Sequence, residues 1–363
     1  MATSTAPSSS TLSAEQTLVT PATTANTAVV HREYDINNPP PHPGPEWTRF
    51  VCISDTHSRV FPVPPGDVLL HSGDLTNVGT YGDFEITVRW IESMPHSKKM
   101  SVSFSFLLLK GCDSRDATLS TAIIAGNHDI TLHQEGGWYN SNFHRWHRMG
   151  KEDIRAIRKL LLGNRAKEAG LVYLEDQKYE FQAKEGGRTW SVYGSPWSPW
   201  FYDWAFNYRR GEDAEKRVAA YEKTDILLTH GPPHKILDKT TRGDDAGCEA
   251  LMARLPSLRP RLHVFGHIHE DHGAVIYDWS SHATAVTLNN TVATATSSQE
   301  HTVFVNAANW PAGRRAYAAS LSKCPFGSGP FVPVIVDLLD DVSPAEQSDA
   351  AQEADRDTGT GVV

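Results

Sequence analysis

Short apolar runs recur along the chain, most of them closed by glycine, aspartate, asparagine or histidine. Runs of this length, rich in β-branched residues and bounded by turn formers, predict buried β-strands. They fall at 50–53, 68–70, 122–124, 192–193, 226–228, 262–265, 302–305 and 332–338. Between them the spacing changes to that of amphipathic helices. Phe84, Val88 and Ile91 share one face, with Pro95 closing that helix. Ile154, Ile157 and Leu161 share another, with Gly170 placed as its stop. Cys248, Leu251, Met252 and Leu255 fit a third, ending before Pro256. Strands alternating with helices predict an α/β fold.

Three stretches depart from this pattern. Residues 1–45 are rich in Ser, Thr, Ala and Pro without periodicity and predict a disordered arm. Residues 341–363 form an acidic stretch that reads as a disordered tail, and the Thr/Ala/Ser/Asn-rich 280–300 reads as a flexible loop. A folded region over 46–340 remains.

Composition narrows the class. Of 363 residues, 39% are hydrophobic, enough for a packed core. No run approaches the roughly 18 apolar residues of a membrane span, and the N-terminus lacks the basic and apolar regions of a secretory signal. Cys52, Cys112, Cys248 and Cys324 are scattered, against a disulfide scaffold or a cysteine-type zinc module. These features predict a soluble, cytoplasmic protein with no membrane partner. The net charge of −9 sits largely in 341–363, which carries −5, and 31–340 holds only −3. No basic face is visible, so a nucleic-acid polymer is not expected as partner. The 17 histidines are the compositional oddity.

Their placement carries the chemistry. Five predicted strands are followed by metal-competent side chains: Asp55-Thr56-His57, Gly73-Asp74, Gly126-Asn127-His128-Asp129, His230-Gly231 and Gly266-His267-Ile268-His269. The carboxyl ends of strands are where open α/β sheets bind ligands. If the last motif continues its strand, the two-residue period points both imidazoles to one face. Two aspartates, one asparagine and four histidines supply oxygen and imidazole nitrogen without thiolate, a set that suits Mn, Fe, Zn or Ni. Seven donors exceed one tetrahedral ion, and a carboxylate can bridge two, so two divalent metals are expected.

The ordered set D-x-H, G-D, G-N-H-[D/E], H, G-H-x-H resembles the calcineurin-like metallophosphoesterase superfamily over about 48–340. Because the motifs span positions 55 to 269, a single domain is expected. The resemblance implies a β-sandwich of two mixed sheets flanked by helices. It implies that Asp55, His57 and His269 hold the first metal, that Asp74 bridges, and that Asn127, His230 and His267 hold the second. His128 would face the phosphate, stabilising charge or protonating the leaving oxygen, while a metal-bridging hydroxide attacks phosphorus.

A narrower set, Gly194 to Trp200 (GSPWSPW), Phe206-Asn207, His230-Gly231-Pro232-Pro233 and Asn306-Ala307, resembles the metallophosphoesterase-domain-containing subfamily, itself similar to class III cyclic-nucleotide phosphodiesterases. Some members carry Gly where this chain has His267, and the intact histidine implies an active enzyme. The expected substrate is a small phosphate ester, a phosphodiester before others, with nucleotides among the candidates. A protein Ser/Thr phosphatase is the runner-up, although Leu75-Thr76-Asn77 stands in place of its Asp-Arg-Gly element. A binding or scaffold protein with a relict site is the third reading. The tryptophans of the 197–204 segment either line the substrate rim and stack on a base or cover an apolar flank. Residues 100–120 have no counterpart in the narrower family and read as an unspliced short intron in the gene model, with a functional lid or membrane-touching hairpin as the runner-up. His144, His147, His234, His263 and His272 fit no ligand position and read as surface or packed histidines.

Overall fold

A computed structural model of the chain describes residues 27–94, 121–279, 301–308 and 331–340, together with the strand backbone of 286–287 and 292–295. Among these residues two seven-stranded sheets form. The first contains β1 (Ala28–His31), β2 (Trp47–Ile53), β3 (Val68–His71), β4 (Thr121–Ile124), β5 (Leu171–Leu174), β14 (Val292–Ala295) and β16 (Val334–Leu339), in the order β14-β1-β16-β2-β3-β4-β5. The second contains β6 (Gln177–Gln182), β7 (Thr189–Ser195), β10 (Ile226–Thr229), β11 (Leu262–Phe265), β12 (Gly273–Asp278), β13 (Val286–Thr287) and β15 (His301–Asn306), in the order β13-β12-β15-β11-β10-β7-β6. A two-stranded ribbon, β8 (Ser198–Pro199) with β9 (Asn207–Tyr208), stands apart.

Both sheets are mixed. The pairs β2–β3, β3–β4 and β4–β5 are parallel in the first, as are β7–β10, β10–β11 and β11–β15 in the second. Alternation along each strand assigns its two faces. Phe50 and Cys52 of β2 join Ile226 and Leu228 of β10 in the core between the sheets. Val51, Ile53 and Leu227 point the other way, into the apolar cluster formed with the helices. Burial on both faces is why these strands are continuous apolar runs.

The helices cover those outer faces. In α1 (Tyr81–Ser93), Thr80 and Asp83 form a capping box, and Phe84, Val88 and Ile91 are buried as the spacing predicted. This helix makes the crossover between the parallel β3 and β4. In α3 (Ile154–Leu162), Ile157 and Leu161 are buried beneath an Asp153 cap.

Four expectations are corrected. The disordered arm does not hold for residues 27–45. There β1 lies antiparallel between β14 and β16, with Val30 fully buried. Backbone bonds to strands about 260 and 300 positions away secure it, a gain that local composition cannot register. The 280–300 loop contributes β13 and β14, one edge strand to each sheet. The third helix, α6 (Glu249–Leu258), runs through Pro256, which is itself exposed in the last turn. The second breaks at Gly163, and a separate α4 (Asn164–Glu168) precedes Gly170. Residues 1–26, 100–120 and 341–363, read as arm, intron and tail, lie outside the described residues.

Candidate metal centre

The carboxyl ends of β2, β3, β4, β10 and β11 meet at one place, and all eight predicted site residues lie there. The turn after β2 is zipped to the turn after β3: Asp55 N–H donates to Gly73 O (2.9 Å), His57 N–H to Asp74 O (3.0 Å) and Ser58 N–H to Leu75 O (3.0 Å). This pairing holds Asp55, His57 and Asp74 in the left-handed region, at φ 54°, 46° and 52°, and His267 joins them at 68°. Each such residue costs on the order of 1–3 kcal/mol, and strain of this kind collects at functional sites. Gly126 and Gly266 leave room for the carboxylates, since a Cβ at Gly126 would collide with Asp74 and one at Gly266 with Asp55 and Ser54.

Among the described residues, three groups of donor atoms cluster within 4.8 Å: Asp55 with His57 and His269, His57 with Asp74 and His128, and Asp55 with Asp74 and His230. His269 Nε2 lies 2.9 Å from Asp55 Oδ1. His230 Nε2 lies 2.9 Å from Asn127 Oδ1 and 3.5 Å from Asp74 Oδ1. The other Asp74 oxygen, Oδ2, faces His57 Nε2 at 3.8 Å. Asp74 thus turns one oxygen to each half of the site.

His267 departs from the sequence expectation. The strand stops at Phe265, and the left-handed His267 turns the chain, so the two-residue period fails. The two imidazoles diverge: His269 reaches Asp55, whereas His267 lies 5.0 Å, centroid to centroid, from His230. The His267 N–H donates to the Asp55 carboxylate (3.1 Å).

The donor chemistry fits divalent cations. His230 Nδ1 meets the Ser72 carbonyl at 2.9 Å and donates to it, which orients Nε2 toward Asp74 and Asn127. Burial lowers His57 and His267 to about 3, so both imidazoles are neutral, the form that binds metal. Burial would raise Asp55, yet the His269 imidazole beside it outweighs this and holds it near about 2. Burial would likewise lower His230, yet the Asp74 and Asp55 carboxylates pull it up to about 9. Two buried carboxylates in one site call for positive charge, which is what bound cations bring.

His128 is half-buried at the rim. Its N–H donates to Asp74 Oδ1 (2.8 Å), its Nδ1 to Asn77 O (2.7 Å), and its ring meets His57 edge-on at 4.5 Å. The tryptophans divide. Trp197 is buried, donating to Asp176 (2.8 Å), and covers a flank. Trp204 stacks on His128 at 4.2 Å, and Phe201 meets His267 edge-on at 5.4 Å.

Sequence reasoning assigned no role to Asp129. Its buried carboxylate accepts from Gly126 N (2.8 Å), Leu75 N (3.0 Å), Thr76 N (2.9 Å) and Thr76 Oγ1 (2.7 Å). Burial and the Asp74 charge push its pKa up to about 7, against which these four donors favour the ionised form. Its place at the end of Gly126-Asn127-His128-Asp129 was the available signal. His71, also unassigned, is buried with Nε2 2.9 Å from Thr56 Oγ1 and offers no signal beyond ending a strand. His147 and His263 are packed, as read.

The profile of calcineurin-like phosphoesterases matches residues 48–271. The chain belongs to that family. It groups metal-dependent phosphoric ester hydrolases. The chain is 36% identical over 251 residues to metallophosphoesterase domain-containing protein 1 of Homo sapiens, and equally to the Mus musculus protein of that name. Each alignment takes in 66% of this chain and 66% of the relative. It is 31% identical over 245 residues to UPF0046 protein T07D4.2 of Caenorhabditis elegans, covering 63% of this chain and 53% of that protein.

Proposed function

We propose that this chain is a dinuclear-metal phosphodiesterase acting on small phosphate esters, with nucleotides among the candidate substrates. The observation that carries the reading is the split of Asp74, one oxygen toward His57 and one toward His230. Asp55, His57 and His269 would hold one ion, Asn127, His230 and His267 the other, and Asp74 both. Mn, Fe, Zn and Ni suit this mixture of carboxylate and imidazole. When bound, such a pair supplies a nucleophile at neutral pH and neutralises charge on the phosphoryl oxygens.

The chain's own residues do the rest. His128 donates from Nδ1 to Asn77 O, which leaves Nε2 to carry a proton toward the leaving oxygen. Phe201 and Trp204 form an apolar rim beside it, suited to the second arm of a diester or to a base. Cys52 and Cys248, both buried free thiols, fit a reducing compartment, which supports a cytoplasmic assignment.

The test is hydrolysis of bis-p-nitrophenyl phosphate by the purified full chain, with each of the four metals in turn. Turnover that drops at least 100-fold in Asp74→Ala and His128→Ala supports the reading. Unchanged turnover in either variant defeats it.

A further inference from the structure

The segment joining β8 to β9 is strained and strapped down. Tyr202, Asp203 and Phe206 adopt φ of 48°, 55° and 50°, a left-handed conformation that bulky side chains rarely take. One guanidinium holds two of them: Arg145 donates from Nη1 to Asp203 O (2.6 Å) and from Nη2 to Tyr202 O (3.0 Å). Phe206 N–H donates to His133 Nδ1 (3.0 Å), and Phe201 N–H to Asn207 Oδ1 (3.0 Å). A loop so over-determined persists in a costly conformation because something depends on where its side chains lie.

What it places is Trp204. One face of the indole stacks on His128, with centroids 4.2 Å apart and planes 28° apart. Trp146 packs against the same indole at 4.9 Å, and the Arg145 guanidinium lies 4.4 Å over Trp146. A single arginine therefore holds the loop backbone and backs the aromatic stack. The His128 ring is otherwise constrained by its bond to Asn77 O and by its edge contact with His57. Trp204 supplies the flat surface that confines rotation of the ring about its side-chain bonds.

We infer that Trp204 is a positioning residue for His128, and that Arg145 is the latch that keeps it there. This rests on the reading that His128 serves the phosphate. Neither residue is among the proposed metal donors. A displacement of about 1 Å in a reacting group costs on the order of 100-fold in rate, and that sets the scale expected here.

The experiment compares Trp204→Ala, Trp204→Phe, Arg145→Ala and Arg145→Lys in the full chain. Three properties are read: kcat and KM on bis-p-nitrophenyl phosphate, metal content, and the His128 ring resonances of metal-free protein, assigned through His128→Gln. Trp204→Ala should lower kcat about 100-fold with metal content unchanged, and should shift the His128 ring signals by removing the indole ring current. Trp204→Phe should recover most of both. Arg145→Ala should act in the same direction without emptying the core, and adding it to Trp204→Ala should cost little more. Parental kcat in Trp204→Ala, or His128 signals that stay in place, overturns the inference. If Trp204→Ala does not fold, Arg145→Ala decides by the same two readouts. If the parent hydrolyses no phosphate ester, the phosphoesterase reading falls, and the His128 resonances alone decide the positioning.

Discussion

Thr76 Oγ1 donates a 2.7 Å hydrogen bond to the buried carboxylate of Asp129, 53 positions away. With its three backbone donors, Asp129 joins the turn after β3 to the turn after β4, where the His128 N–H donates to Asp74. A carboxylate that orients the loops carrying the proposed metal donors should act on metal affinity as well as on stability.

Asp129→Ala leaves Gly126, Leu75 and Thr76 with buried donors lacking an acceptor. The expected cost is about 3 kcal/mol in denaturant unfolding. Affinity for divalent metal should fall about 10- to 100-fold by calorimetric titration, as for other groups that support ligands. Parental metal affinity in a folded Asp129→Ala protein would contradict this.

Removing metal should weaken the folded state, because an ion that binds only the native site stabilises it. Asp55 and Asp74 are both buried, and although the Asp74 charge disfavours ionisation of Asp55, the neighbouring imidazoles keep both carboxyls below their ordinary values. Chelation should lower the melting temperature, and metal at about 100 times its Kd should restore about 2.7 kcal/mol. Asp74→Asn keeps an acceptor for the His128 N–H but loses the charge. Burial would raise the Asp74 carboxyl, yet the His230 and His128 imidazoles hold it well below its ordinary value, so the metal-free variant should melt below metal-free parent while showing little response to added metal. Differential scanning calorimetry with and without chelator checks both signs.

Far from the centre, Arg49 grips Asp337 through Nε and Nη2, each bond 2.7 Å, with both side chains buried. The same guanidinium caps the carbonyls of Pro40 (2.7 Å) and Pro41 (2.9 Å). Burial would raise the Asp337 carboxyl, but the Arg49 hydrogen bonds hold it below its ordinary value. Its contribution is thus complete above the unfolded carboxylate value of about 3.9 and is lost as pH falls through the lower folded value. Asp337→Ala, which strands the arginine, should cost about 3–5 kcal/mol at neutral pH. Urea unfolding measures it.

His263 predicts acid sensitivity of the same sign in a higher pH window. It is fully buried, with Nε2 2.8 Å from Thr229 Oγ1, and burial lowers it to about 3. The unfolded imidazole titrates near about 6.5, so the unfolded chain takes up the proton first. Its neutral burial costs nothing above about pH 6.5 and costs stability as pH drops from there toward 3. His263→Leu should unfold with less acid dependence, gaining about 2 kcal/mol on the parent between pH 6.5 and 5. Parallel pH profiles for the two proteins would refute this.

Much of the centre was legible because its determinants are local. A strand that is apolar on both faces, ending in Asp-x-His or Gly-Asn-His, specifies its own extended backbone and puts donors at its carboxyl end. Five such ends can converge only where parallel neighbours align them, as β2–β3–β4 and β10–β11 do. The helix faces of α1 and α3 followed from spacing for the same reason. What depended on partners distant in the chain was not legible. Ala28–His31 is a strand because β14 and β16 offer it hydrogen bonds on both sides, not because its composition demands one. His267 and His269 part because a left-handed turn replaces the strand, a choice made by the Asp55 carboxylate that binds the His267 N–H. Trp197 and Trp204 are equivalent in composition, yet one is buried against Asp176 and the other lies on His128. Side-chain contacts of that kind have no period and no spacing, and packing in three dimensions decides them.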